Sequence, residues 1–120
     1  MLGNLRCPCG KCHKLISDSL LWVLKSLERD MRIFYKKGYK LTLNSTVRCH
    51  EHNREVGGSP TSEHLKSNAG DLAYKNSNEL YWLISIMLKT LNIKRILIYS
   101  SFVHMGISKK HPQKVIKRMG

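Results

Sequence analysis

The chain has 120 residues, 42% of them hydrophobic, with 21 Lys+Arg against 8 Asp+Glu and a formal net charge of +13. That length suits one domain, residues 1–120, with a modest core, and that apolar share excludes a disordered tail. The charge favours polyanions such as nucleic acid, anionic lipid headgroups or acidic wall polymers, and equally describes a solubilising face rich in lysine.

Residues 1–14, "MLGNLRCPCGKCHK", are Cys-rich and lack the apolar core of a signal peptide. No stretch of the chain approaches the ~20 apolar residues of a membrane span. Synthesis in a cytoplasm is expected, with any export dependent on something else. Cys7, Cys9 and Cys12 form a C-x-C-x-x-C cluster followed by His13. Thiolate and imidazole suit zinc, but this spacing is not a usual zinc-knuckle half and no second pair follows. Reduced, partly buried thiols, Cys49 among them, are the other reading, and a disulfide is disfavoured without an export signal.

The next segment, "ISDSLLWVLKSLERDMRIFYKKG", predicts a helix. Ser17 or Asp18 caps it, Leu20, Leu21, Leu24 and Leu27 recur at helical spacing, and Gly38 ends it. "YKLTLNSTV" alternates polar and apolar residues and predicts a strand. A long loop is expected from Arg48 to Ala69, with Gly57, Gly58 and Pro60 as breakers. "GDLAY" reads as a buried strand, and "NSNELYWLISIMLKTLN" as a second amphipathic helix capped by Asn76 or Ser77. "KRILIYS" and "FVHMGIS" read as two strands joined by a tight turn near Ser100 and Ser101. The basic tail, residues 109–120, is expected at an edge or frayed. These elements make an α+β domain: two helices packed on a small, mostly antiparallel sheet.

Loops of about 20 residues inside compact domains are commonly functional. This one holds His50, His52 and His64 and leads into Asp71. The last predicted strand carries His104 between Val103 and Met105, which would face the opposite, apolar side. Two imidazoles and a carboxylate from neighbouring strands are a three-ligand set of the kind that holds a catalytic zinc and leaves a fourth position open. Such a site lowers the pKa of water from about 15.7 to about 7. It also explains an aspartate at the start of a buried strand, because a divalent cation pairs its charge. From spacing alone, a hydrogen-bonded core histidine and a turn-capping aspartate remain open readings.

"SEHLKSNAGD" resembles the S-x-H-x-x-G-x-A-x-D signature of the zinc D-Ala-D-Ala carboxypeptidase and endolysin peptidases, the M15 peptidase family. The preceding "STVRCHEHNREVGGSPTSEH" resembles that family's S-G-Y-R-C-x-x-H-N-x-x-V-G-G-x-x-x-S-x-H run. "RILIYSSFVH" is similar to its closing strand pair, and "RCPCGKC" to the C-x-C-G-C segment of one branch. The resemblance implies a Hedgehog/DD-peptidase-like fold with one zinc ion held by His64, Asp71 and His104. It implies that Arg48 binds substrate and steadies the carbonyl oxygen as charge develops, which suits a guanidinium. Ser62 would be a substrate hydrogen-bonding partner. A salt bridge from Arg48 to Glu51 or Glu55, and a loop-fixing role for Ser62, are the plainer readings.

The sequence also departs from the family pattern. Ser67 stands where the signature has glycine, and Gly70 stands at a usually apolar position, where it would loosen the backbone. Many relatives carry an acid three residues before the last histidine, or an aspartate two residues after it; here those positions are Ser101 and Gly106. A hydrolase of this kind needs a group to accept a proton from water. Glu51, His52 and Glu63 are the loop candidates, and no motif anchors any of them.

The expected function is zinc-dependent hydrolysis of a peptide bond in the peptidoglycan stem peptide, either as a D-Ala-D-Ala carboxypeptidase or as an L-Ala-D-Glu endopeptidase. The alternative is a non-catalytic zinc module of the same fold that binds wall peptides or another partner. A monomer is expected, made in a bacterial or phage-host cytoplasm and acting at the cell wall if exported or released. With 8% aromatic residues and no nucleic-acid motif, no specific nucleic-acid partner is expected.

Overall fold

The computed structural model describes residues 16–46, 50–58, 64, 68–108 and 114–119. In chain order the described elements are α1 (Asp18–Phe34), β1 (Leu43–Ser45), α2 (His50–Glu55), β2 (Ala69–Ala73), α3 (Ser77–Lys89), β3 (Arg95–Ile98), β4 (Phe102–Gly106) and β5 (Val115–Arg118). They form an α+β fold whose five-stranded sheet has the order β1-β2-β4-β3-β5. Three of its pairings are antiparallel, and β3 with β5 is parallel. Among the described residues no helix is long and apolar enough to cross a membrane.

Both long helices begin where side-chain chemistry allows. The Ser17 hydroxyl accepts from the Leu20 N–H at 3.2 Å, and the Asn76 carbonyl oxygen accepts from the Glu79 N–H at 2.9 Å. Each satisfies a donor that a helix start would leave open. Leu20, Val23, Leu24, Leu27 and Met31 of α1 join Leu83 and Met87 of α3 against Leu72, Ile96, Val103 and Met105 of the sheet. Each such buried side chain stabilises the fold by roughly 1.5–3 kcal/mol relative to exposure. α1 and α3 therefore cover one sheet face. Strand alternation turns the neighbours of those residues along the strands, Asp71 and His104 among them, to the other face.

Three expectations need correction. The strand anticipated over "YKLTLNSTV" is confined to Leu43–Ser45. The reason is that α1 takes the preceding backbone groups: Glu28 accepts from the Leu41 N–H at 2.8 Å, and Arg32 donates to the Tyr39 carbonyl at 3.0 Å. With those groups engaged, no ladder forms there. Secondly, the region expected to be loop contains α2, which makes three helices rather than two among the described residues. Gly57 and Gly58 act there as a helix cap. Gly57 has φ +70, its N–H bonds the Arg54 carbonyl at 3.2 Å, and the Gly58 N–H bonds the Asn53 carbonyl at 2.8 Å. That is the bond pair of a glycine-terminated helix. Thirdly, Gly70 is paired with Met105 inside β2 rather than in loosened backbone.

Two buried acids tie the layers together. Glu28 also accepts from Arg32 at 2.9 Å. Glu79 accepts from the Tyr39 hydroxyl at 2.6 Å and from the Lys75 N–H at 2.8 Å. Burial first, and then the bond to Glu79, push the Tyr39 hydroxyl well above the usual tyrosine range. The basic tail supplies the edge strand β5, preceded by Lys114, whose ammonium donates to the carbonyls of Met87, Leu88 and Thr90 at 2.7, 3.1 and 2.6 Å. These are end carbonyls of α3, where positive charge is favoured.

Candidate metal centre

The register of β2 on β4 pairs Gly70 with Met105, Asp71 with His104, and Leu72 with Val103. Opposed residues on one face of an antiparallel pair have Cβ atoms about 4.5–5.5 Å apart, so strand pairing alone brings Asp71 and His104 together. His104 Nδ1 lies 3.0 Å from Asp71 Oδ1. The third member, His64, enters from the segment before β2 and is 2% exposed. Its Nε2 lies 3.3 Å from Asp71 Oδ2, and its ring meets that of His104 edge-on at a centroid distance of 5.2 Å. One ligand atom from each residue lies within 4.8 Å of the others.

The chemistry of this donor set fits a cation. His64 Nδ1 contacts the main-chain carbonyl of Thr46. A carbonyl oxygen only accepts, so Nδ1 carries the hydrogen and Nε2 of the neutral ring presents a lone pair. That lone pair faces a carboxylate oxygen, which is also an acceptor. Two acceptors at this range hold together only when positive charge lies between them, as a proton or as a metal ion. Bonds of about 2.0–2.2 Å in a tetrahedral zinc site place ligand atoms roughly 3.3–3.5 Å apart. The 3.0 and 3.3 Å separations, one to each oxygen of the Asp71 carboxylate, are close to that spacing.

Electrostatics keep the carboxylate ready. Burial alone would push the Asp71 carboxyl up. The hydrogen bond from His104 is the largest influence opposing burial, and the carboxyl is held well below the usual carboxylate range. The Thr46 carbonyl fixes the His64 tautomer and ring orientation, a partner that metal-bound histidines commonly have. Sequence reasoning missed Thr46, because a main-chain carbonyl has no residue signature. Thr46 itself is 1% exposed, so the contact is held inside the fold.

His64, Asp71 and His104 are thus brought together from three segments. Arg48, Ser62, Glu63 and the cysteines at 7, 9, 12 and 49 lie outside the described residues, as do the side chains of Glu51 and His52 on α2. The buried acids Glu28 and Glu79 are engaged in the contacts to Leu41, Arg32, Tyr39 and Lys75 given above. A cavity of about 800 Å³ lies at the head of α1 beside Trp22, Asn92 and Lys94. The triad does not line it, so chemistry rather than concavity selects the site.

No curated protein matches the chain. The sequence profile of the family described as Peptidase M15 matches residues 4–106, which takes in all three members of the triad and every described element except β5. A match over that much of the sequence settles its kinship: the chain belongs to the Peptidase M15 family.

Proposed function

We propose that the protein is a zinc peptidase that hydrolyses a peptide bond in the peptidoglycan stem peptide, with His64, Asp71 and His104 as the metal ligands. The observation that carries the reading is the abutment of His64 Nε2 on Asp71 Oδ2, two acceptor atoms that a shared metal ion would hold together. Membership of a peptidase family supports the reaction class. Zinc, when bound, would supply Lewis acidity and lower the pKa of water at its open position.

The chain's own residues set up the rest. Thr46 holds His64 in the tautomer whose Nε2 can donate an electron pair. Asp71 stays anionic because its hydrogen bond with His104 offsets the cost of burial. β4 holds His104 opposite Asp71 on the sheet face away from α1 and α3, the face proposed to receive the peptide. Arg48 is proposed to bind substrate and to stabilise the negative charge that develops on the scissile carbonyl, and Ser62 to donate a hydrogen bond to the peptide. The proton acceptor is proposed to come from the loop before His64, with Glu51, His52 and Glu63 as candidates.

A second reading is favoured by Ser101 and Gly106, which stand where relatives carry acids. On it, the protein keeps the metal but only binds wall peptides. Purified peptidoglycan and synthetic stem peptides incubated with zinc-loaded protein across a pH series separate the two. Release of D-Ala or of stem-peptide fragments, lost in His104→Ala, is the expected result. Zinc-loaded protein that binds the peptides and releases nothing at any pH leaves the binding module.

A further inference from the structure

The helical repeat of α1 sorts its residues into two faces. Leu20, Val23, Leu24, Leu27 and Met31 are buried. Trp22, Lys25, Arg29 and Ile33 follow one another at spacings of three and four on the opposite side, and Lys36 extends the line past the helix end. All five are exposed. The apolar members of this line are far from covered: Trp22 is 61% exposed and Ile33 65%. Lys37 and Lys40 add exposed cations at the same end. The acids nearby offset only part of the charge. Asp30 takes Arg29 at 3.4 Å, Glu28 takes Arg32 at 2.9 Å, and Asp18 sits at the far end of the helix.

We propose that this outer face of α1 docks on an anionic lipid bilayer. Charge complementarity draws the face to the surface, where each juxtamembrane lysine or arginine contributes. What selects lipid over the other polyanions is the apolar part. A wall polymer or a nucleic-acid backbone offers no apolar medium for Trp22 and Ile33, whereas the headgroup–acyl boundary does. Tryptophan is suited to the same depth. Trp22 and Ile33 are about 16 Å apart along the helix, two anchor points with Lys25 and Arg29 between them.

The direction of docking follows from the layers. α1 lies on the Leu72–Val103–Met105 side of the sheet, and Asp71 and His104 are on the other. A molecule lying on its α1 face therefore turns the triad away from the bilayer. The docking proposal does not depend on the triad being catalytic.

The test is co-sedimentation of the full chain with vesicles of phosphatidylglycerol mixed into phosphatidylcholine, against phosphatidylcholine alone. Trp22 emission is followed in a Trp82→Phe background. Binding to the anionic vesicles only, weakened by salt and accompanied by a blue shift of Trp22, is expected. Lys25→Gln with Arg29→Gln should weaken it about 25-fold, at about fivefold per cation. Ile33→Ser should weaken it about tenfold, and unchanged melting of these surface variants shows that the fold is kept. Full binding by the Ile33→Ser variant overturns the proposal, since adhesion would then be ionic alone. So does equal loss of that variant's binding to a soluble polyanion such as DNA or lipid-free teichoic acid, or an absence of vesicle binding at low salt.

Discussion

Replacing Asp71 by asparagine separates metal binding from mere packing at the site. The two side chains have nearly the same shape, and asparagine keeps polar atoms opposite His64 and His104, which lie 3.3 and 3.0 Å from the carboxylate. What it removes is the charge that both imidazoles face. Zinc at 100 times its dissociation constant stabilises a folded protein by about 2.7 kcal/mol. At about 2.1 cal/mol/K per residue, a chain of 120 residues unfolds with an entropy near 250 cal/mol/K, so the midpoint should rise by roughly 11 °C. Losing a partner that merely orients a ligand costs about 10- to 100-fold in metal affinity, so losing a ligand costs at least about 100-fold. At the same zinc concentration Asp71→Asn then gains only about 0.4 kcal/mol, a shift near 2 °C. Differential scanning calorimetry of chelator-treated and zinc-supplemented protein measures both shifts. A variant that responds to zinc as strongly as the parent, or a parent that does not respond, refutes the metal assignment.

Acid stability gives a second check. The folded pKa of Asp71 lies below its unfolded value near 3.9, so its contribution is complete above about pH 4 and is lost as pH falls through the folded pKa. In chelator-treated protein the urea midpoints of the parent and Asp71→Asn should draw progressively closer as pH falls below about 4; a constant gap contradicts the linkage. Gly70→Ala should stabilise by about 0.5–1 kcal/mol in urea titrations, because the added Cβ meets Leu24, Leu43 and Thr46 at 3.6–3.9 Å, ordinary contact distances, and the unfolded chain loses freedom. Loss of stability there would mean that β2 cannot take a side chain. Glu28→Ala should destabilise by on the order of 3 kcal/mol by stranding the Leu41 N–H, with Glu28→Gln milder because it keeps an acceptor. Equal midpoints for the two variants would show that the Leu41 bond contributes nothing.

Much of this arrangement was legible before any coordinates. Helical spacing and the capping chemistry of Ser17 and Asn76 located α1 and α3. The flanking of His104 by Val103 and Met105 placed it on the face away from the core, as the burial of both neighbours bears out. Asp71 and His104 were expected on neighbouring strands, and the register of β2 on β4 makes them direct partners. Illegible parts depend on contacts distant in sequence. Nothing local to Tyr39 or Leu41 announces that Glu28 and Arg32 will take their backbone groups in place of a ladder. The short β1 follows from that. Nor does Gly57 tell, by identity alone, whether it breaks a loop or closes a helix; its positive φ and the two bonds around it decide for α2. Arg48 and Ser62, which the resemblance brings to the site, lie outside the described residues.

The parallel strand β5 changes what the sheet presents at its border. β3 reads Arg-Ile-Leu-Ile, a short run of high strand propensity whose outer main-chain groups would otherwise face solvent. β5 occupies that side, with the Val115 N–H on the Lys94 carbonyl and the Met119 N–H on the Ile98 carbonyl, both at 2.8 Å. It brings Lys117 and Arg118 to the rim, and Lys114 fastens its start to the end of α3. The last few described residues thus work as a bumper. Copies of the molecule that meet rim to rim encounter like charges before they can zip their strands together, and a highly concentrated solution is spared a route to fibrils.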